Sequence, residues 1–381
     1  MKKPDVRKIF KYVGRGALCT LTVLVALLIA AYSVMFVLAK GPSPTASTLF
    51  VRSVMETSAA KFLARIYFTE EEITAILSAG DGDDVITDPS LIQIPSDTKP
   101  SGDTETDPVG TDTDEPGTAD VTDNPETSGG DTSEASTEAE TDAPDEDEGI
   151  EVISVRGDTY NGTLLIVHDP SRVTLGTLPE YGEGYSGKTL RKFIEDAGAI
   201  GGINAGGFED DGGNGTGAVP DGIVIRDGEI IWGNASTKYK CVMGFDKDHI
   251  LHVGNMTGKQ ALDAGIVDGL NFSLGPVLVV NGAPQNSKKS LGGGLNPRTA
   301  IGQRADGAVL LLVINGRQAD SLGATYDDLV SIMLGYGAVN AANLDGGSST
   351  LMMYKGETMN QSAYFFGERK LPNVFLVEAA E

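Results

Sequence analysis

The stretch Thr299-Ala300-Ile301-Gly302-Gln303-Arg304-Ala305-Asp306-Gly307-Ala308-Val309-Leu310-Leu311-Leu312-Val313-Ile314 sets two apolar runs on either side of an Asp-Gly pair. Asp-Gly tolerates the positive φ of a tight turn, so this spacing predicts a β-hairpin turning at Asp306-Gly307. The same grammar recurs outward from it. Ile223–Trp232 turns at Asp227-Gly228, Val277–Val280 ends at Asn281-Gly282, and Glu151–Arg156, Gly162–His168 and Arg172–Leu178 read as further strands. Two helices interrupt. Lys188–Ala197 is amphipathic. Thr325–Tyr336 places Tyr326, Leu329, Val330 and Met333 on one face, behind a Thr325 cap and with Asp327 and Asp328 in its first turn. Strands outnumber helices and do not alternate with them, which predicts an α+β fold, mainly antiparallel sheet with a few packed helices. It occupies residues 150–381, and roughly 230 residues are ample for a core.

Four shorter pieces precede this domain. Residues 81–149 hold 23 Asp and Glu against Lys99 alone, and so carry −22 of the chain's formal charge of −25. With almost nothing to bury, the segment predicts a disordered acidic linker. As a random coil it would span about 45–50 Å, enough to act as a long tether. Residues 40–80 predict a helical stalk, either free-standing or packed on the main domain, with Thr69 and Glu70-Glu71-Glu72 as a capping box opening its second helix. Residues 16–39 carry no charge and are dense in Leu, Val, Ala and Ile, long enough to cross a bilayer as a transmembrane helix. That length exceeds the apolar core of a cleaved signal peptide, so an uncleaved anchor is expected. Residues 1–15 contain Lys2, Lys3, Arg7, Lys8, Lys11 and Arg15 against Asp5, which predicts a cytoplasmic tail, a single pass through the cell membrane and an extracellular C-terminal domain.

Residue types exclude several function classes. Outside the tail there is no basic excess, so nucleic acid is not an expected partner. Cys19 and Cys241 are the only cysteines, which excludes a disulfide scaffold and a cysteine-rich zinc module; Cys19 is expected to pack in the apolar helix. His168, His249 and His252 are the only histidines, and the last two would face opposite ways in a strand, a poor basis for a dinuclear site. No Gly-x-Ser-x-Gly nucleophile motif is present. Asp210 to Asn214 does not follow a calcium-loop register, and Glu209–Gly217 reads as a mobile rim.

Three glycine-rich polar clusters remain: Asn204-Ala205-Gly206-Gly207-Phe208-Glu209-Asp210; Asn296-Pro297-Arg298-Thr299 together with Asn315-Gly316-Arg317; and Asn343-Leu344-Asp345-Gly346-Gly347-Ser348-Ser349-Thr350. Glycine turns let backbone amides approach an anionic ligand. Arg298 and Arg317 offer guanidinium forks for a phosphate or carboxylate, Asp345 a carboxylate at the end of a strand, and Asn204, Asn343 and Thr350 hydrogen bonds to sugar or phosphoryl oxygens. A structural ion pair between Arg298 and an acid such as Asp345 is the plainer alternative.

These stretches resemble the phosphodiester glycosidases, a family that includes the animal uncovering enzyme and bacterial exopolysaccharide-biosynthesis-type members. The resemblance covers residues 150–381. It departs at the first cluster, where Ala205 is inserted and Glu209 stands at an aromatic position. It implies hydrolysis of the C1–O bond of sugar-1-phosphodiesters, in this setting those of cell-envelope or exopolysaccharide glycans. Asp345, Arg298 and Glu209 are the implied catalytic residues, with Asp210 in reserve. Asn204, Gly206, Gly207, Thr299, Asn315, Arg317, Asn343, Gly346, Gly347, Ser348, Ser349 and Thr350 are the implied substrate contacts. No cofactor is expected; a divalent metal is possible but unindicated. The partners expected are a glycosyl phosphodiester or anionic polysaccharide and, through residues 16–39, the membrane. The competing readings are a non-catalytic anionic-glycan-binding module and a phosphodiesterase that breaks P–O.

Overall fold

The computed structural model describes residues 6–55, 61–78, 86–95, 149–210, 215–286, 291–364 and 367–380. Helix α1 (Val6–Lys40) is followed by three shorter helices, α2 (Pro44–Met55), α3 (Lys61–Tyr67) and α4 (Glu70–Ser78). The expected capping box opens α4: the Glu72 amide donates to Thr69 Oγ1 at 3.2 Å and the Thr69 amide to a Glu72 carboxylate oxygen at 2.9 Å. The four helices share a small core of Ala39, Phe50, Val51, Ala64, Phe68 and Ile73. Cys19 is exposed on the surface of α1 and packs in no core, because the helices that pack on α1 meet only its C-terminal turns, around Tyr32, Phe36 and Ala39.

Among the described residues, the C-terminal domain contains three sheets, all of whose pairings are antiparallel. The first runs in the order β1 (Ile150–Arg156), β2 (Asn161–Val167), β13 (Val309–Ile314), β12 (Arg298–Arg304), β14 (Ala338–Asn343), β10 (Val277–Val280), β11 (Ala283–Pro284). The second runs β16 (Glu357–Thr358), β15 (Met352–Tyr354), β4 (Gly201–Asn204), β17 (Asn373–Val377), β3 (Val173–Thr177). The third runs β6 (Glu229–Trp232), β5 (Val224–Arg226), β9 (Ile266–Asn271), β7 (Lys238–Asp246), β8 (Leu251–Thr257). Helices α5 (Leu190–Ala197), α6 (Gly258–Asp263) and α7 (Tyr326–Gly335) complete it. Thr325 caps α7 as expected, its Oγ1 accepting from the Asp328 amide at 3.2 Å. His249 lies in the turn before β8 and not in a strand.

The unbroken apolar run of β13 follows from burial on both faces. Val309, Leu311 and Val313 enter a central core that joins all three sheets, with Ile203 and Phe375 from the second and Met243 and Leu270 from the third. Leu310, Leu312 and Ile314 face the other way, against Tyr326, Leu329, Val330 and Met333 of α7. Each such side chain, fully buried, contributes about 1.5–3 kcal/mol.

Most of the 81–149 segment lies outside the described residues, but part of the expectation for it is corrected. Residues 86–95 form a strap on the domain. Thr87 is buried, its Oγ1 accepting from the Val253 amide at 2.9 Å and donating to the Val253 carbonyl at 3.3 Å. Asn281 bonds both the Asp88 amide and the Ile86 carbonyl, and the Gln93 amide donates to the Ala305 carbonyl. Ile86, Leu91, Ile92 and Ile94 give this short piece the apolar surface that the surrounding acidic sequence lacks.

Candidate active site

Antiparallel pairing brings the chain-distant clusters to one end of the domain. Arg298, which opens β12, pairs with Ile314, which closes β13, while Ala300 pairs with Asn343 at the end of β14. Asn204 at the end of β4 pairs with Val374 near the start of β17. The first two sheets are stitched together there by the Asp345 amide, which donates to the Ala205 carbonyl at 2.8 Å.

Asn204 is the fully buried hub of this junction. Its Nδ2 donates to the Asp345 carbonyl at 2.6 Å, and its Oδ1 accepts from Thr299 Oγ1 at 2.8 Å and the Leu351 amide at 3.0 Å. One amide side chain therefore holds the third cluster by backbone at both ends. Between those points the chain makes a tight turn, with the Gly347 amide donating to the Pro297 carbonyl at 2.9 Å. Gly347 adopts φ +61°, and the guanidinium of Arg317 packs against it.

The Asp345 carboxyl sits inside this turn, open to solvent only in part. Burial pushes its pKa up to about 7; a hydrogen bond from Ser349 and the charge of Arg369 oppose the rise, and Asp210 and Asp221 add to it. Asp221 is itself raised, chiefly by burial, with Lys61 and Ser273 pulling it down and Glu209 pushing it up. Its position depends on the adjacent Gly222 at φ +134°, where a Cβ would collide with the Asn271 amide group at 2.1 Å. Arg369 is buried, with Nη2 2.7 Å from Asp210 and Nη1 donating to Ser348 Oγ at 2.9 Å, and its guanidinium lies over the rings of Phe208 and Tyr364.

Not every expected residue joins this group. The two-residue period of a strand sends Thr299 into the Asn204 network and Arg298 to the opposite face. There Arg298 is buried, donating to the Ala324 carbonyl at 3.0 Å and the Gly294 carbonyl at 2.8 Å and stacking on Tyr326 at 3.9 Å. Asn315 spends its side chain on Asn161 and the Gln361 amide. Glu209 is exposed on the rim, its amide donating to the Val219 carbonyl. Arg317 stands at the edge of the group: exposed and at φ +60°, it lies against Gly347 while its Nη2 donates to Asn296 Oδ1 at 3.1 Å. Asn343 and Thr350 are buried, and among the described residues Asn343 Oδ1 and Thr350 Oγ1 have no hydrogen-bond partner.

The glycine turns also use their amides differently from the outward-facing arrangement expected of them. The Gly206 amide donates to Asn373 Oδ1 at 2.7 Å, the Gly207 carbonyl accepts from the Asp221 amide, and Gly346 packs against the Pro297 carbonyl. The amides of Gly206, Asp345 and Gly347 are thus occupied in joining one cluster to the next. Among the described residues, no three His, Cys, Asp or Glu side chains are grouped as metal ligands.

Asp221 and Arg369 are the site residues that motif reading missed. Each stands just ahead of an apolar strand, Asp221 before Ile223-Val224-Ile225 and Arg369 before Val374-Phe375-Leu376-Val377. That signal places them at the same strand ends as the glycine clusters once the direction of each strand is known.

Residues 197–378 match the family model described as phosphodiester glycosidase. The SPbeta prophage-derived uncharacterized protein YomE of Bacillus subtilis is 30% identical over 165 residues, 42% of this chain and 24% of that protein, so the chain spans about a quarter of the length of this curated relative. Among solved structures, the catalytic domain of zebrafish N-acetylglucosamine-1-phosphodiester alpha-N-acetylglucosaminidase, auto-inhibited by its pro-peptide, is 18% identical. That match covers 65% of this chain and 85% of the zebrafish one, with a TM-score of 0.47. A hypothetical protein from Synechocystis is 16% identical, covering 65% of this chain and 64% of its own, with a TM-score of 0.43.

Proposed function

We propose, from a C-terminal domain whose residues 197–378 match the phosphodiester glycosidase family model, that this chain hydrolyses the C1–O bond of a glycosyl-1-phosphodiester. The observation that carries the reading is the setting of Asp345: a half-enclosed carboxyl, bonded by Ser349 and close to the charge of Arg369, at the point where three separate parts of the chain meet.

The chemistry suits that residue set. A phosphomonoester is a far better leaving group than an alcohol, so acid assistance to departure matters less than in glycosidases built on two carboxylates. Two demands remain: a negative group beside the oxocarbenium-like anomeric carbon, and positive charge near the departing phosphate. Asp345, ionised, answers the first, as base toward water or as nucleophile. Arg317, exposed beside Gly347, answers the second. Arg369 holds Ser348 and Asp210 in place and lowers the cost of ionising Asp345. Water supplies hydroxide to C1, the C1–O bond breaks with its electrons going to the bridging oxygen, and the remaining proton leaves with the phosphomonoester or to solvent.

The apolar helix Leu18–Lys40 is long enough to serve as a single-pass anchor, and the basic residues before it favour a cytoplasmic N-terminus with the domain outside the cell. Envelope and exopolysaccharide phosphodiesters are the substrates such a location would meet.

The test is hydrolysis of a sugar-1-phosphate alkyl diester by the full chain in oxygen-18 water, followed by phosphorus NMR. Unlabelled phosphomonoester is expected. Label in the phosphate would mean P–O cleavage, and an absence of product would mean a binding module; either result rejects the proposal.

A further inference from the structure

The helices beside the apolar span also touch the rim of the site. Tyr67 of α3 packs on Tyr32 and Phe36 of α1, with ring centroids 5.8 and 6.4 Å away. Ser47 Oγ of α2 donates to the Ala39 carbonyl at 2.7 Å, and Lys40 pairs with Glu72 of α4 at 3.0 Å. These contacts fall in the last turns of a helix whose hydropathy and length suit a bilayer, and so place α2, α3 and α4 at the level where the span leaves the hydrocarbon.

The same helices reach the domain at its site end. Arg52 Nη1 donates to the Leu291 carbonyl at 2.7 Å, and Ser53 lies against Gly294. The loop they touch is the one whose Gly294 carbonyl receives Arg298 and whose Asn296 receives Arg317. At the first residue of α3, Lys61 lies within electrostatic reach of Asp221. From Lys61 to Tyr67 is about 9 Å along the helix axis. Site rim and bilayer surface are thus joined by less than two turns of helix.

Two further observations bear on what the rim would meet. Phe62 and Ile66, four residues apart and therefore on one side of α3, are 58% and 55% exposed, and Leu49 of α2 is 43% exposed. Apolar side chains clustered beside a membrane span are suited to the boundary between headgroups and acyl chains. The domain is also held close. Only residues 79–85 separate the end of α4 at Ser78 from the docked strap at Ile86, a reach of at most about 29 Å. The acidic residues 96–148 follow the strap, so they do not lengthen the connection between membrane and domain.

We infer that the site opens at the membrane surface and takes a glycosyl phosphodiester whose second ester is a lipid. Such a molecule presents the sugar C1–O–P linkage at headgroup height, with its chain in the bilayer beside Phe62 and Ile66. This inference rests on the proposed C1–O hydrolysis. Water adds its oxygen to C1, the C1–O bond breaks toward the bridging oxygen, free sugar enters the aqueous phase, and the lipid phosphomonoester stays in the membrane with the balancing proton released to it or to solvent.

The experiment uses the full chain reconstituted in phosphatidylcholine and phosphatidylglycerol vesicles, with two diesters that share one sugar-1-phosphate headgroup, one hexadecyl and one methyl. The hexadecyl ester should be turned over with a kcat/KM about tenfold higher or more, as confinement to a surface raises effective concentration. Adding empty vesicles at constant bulk substrate should slow the hexadecyl reaction and leave the methyl reaction unchanged. Phe62→Ser combined with Ile66→Ser, at positions already facing outward, should reduce the hexadecyl advantage severalfold without altering methyl turnover. Equal turnover of both esters, or a hexadecyl advantage untouched by the double variant, would overturn the inference while leaving the reaction standing. Turnover of neither ester would overturn the reaction, and the inference with it.

Discussion

Arg369 and Asp210 form an ion pair at 2.7 Å in which each side chain is only 7% exposed, and the same guanidinium donates to Ser348 three residues beyond Asp345. One cation thus ties the rim after β4 to the turn that carries the candidate catalytic carboxyl. A buried pair of this kind is not a large source of net stability, because desolvation offsets most of the attraction, but removing one member leaves the other buried and uncompensated.

Arg369→Ala should therefore cost about 3–5 kcal/mol in urea unfolding, and Asp210→Asn introduced beside it should recover part of that loss. Arg369→Lys keeps the charge but not the fork that serves Asp210 and Ser348 together, so it should fold better than Arg369→Ala and still lose activity. If Arg369→Ala unfolds at the wild-type urea concentration, the pair is not buried as described.

Asp345→Asn preserves shape and removes ionisation. Activity should fall by about 10²–10⁴ in kcat, the range associated with loss of a positioned acid or base, with circular dichroism unchanged. Wild-type turnover in this variant would take Asp345 out of the reaction.

The pH dependence of stability has a definite sign. The folded Asp345 carboxyl titrates at about 7, above an unfolded value of about 3.9, so its contribution is complete below pH 4, declines between pH 4 and 7, and is absent above. Asp345→Asn escapes that decline. Its stability relative to wild type should rise between pH 4 and 8, by roughly 2–4 kcal/mol, as read by thermal unfolding across pH. Activity, which needs the carboxylate, should fall on the acid side of about pH 7.

Asn204→Ala removes bonds to the Asp345 carbonyl, Thr299 Oγ1 and the Leu351 amide at once. With those partners left unsatisfied in a fully buried site, a loss of about 2–4 kcal/mol is expected in chemical denaturation. Asn204→Asp should be worse, since it sets a second acceptor against the Asp345 carbonyl.

Thr87→Val deletes both bonds between the strap and Val253 while keeping the side chain's shape. Faster hydrogen exchange at the Val253 amide, with exchange elsewhere in β8 little changed, is the expected result. Unchanged protection at Val253 would mean that the strap does not cover it.

The hairpins at Asp227-Gly228 and Asp306-Gly307, the cap at Thr325 and the capping box at Thr69 could all be read from neighbouring residues, because turn chemistry and apolar period are local properties. Strands β7, β8 and β9 were harder to see. They are short on turn signals, and β7 is bent by a bulge where Cys241 takes φ +45°. Asp345 and Asn204 stood out by their motifs. Asp221 and Arg369 did not, since nothing near either of them along the chain says which partner it will meet.

Sequence by itself determined the segment types: an apolar helix, a charged stretch with little to bury, and a strand-rich domain whose three glycine-rich corners hold the polar residues. Tertiary structure alone decided which of those residues meet, turning Arg298 toward α7 and Thr299 toward Asn204, and fastening residues 86–95 to the domain. The physical reason is that periodicity and turn preference act over a few residues, whereas the desolvation and charge around Asp345 come from side chains up to 135 positions away that only sheet pairing brings together.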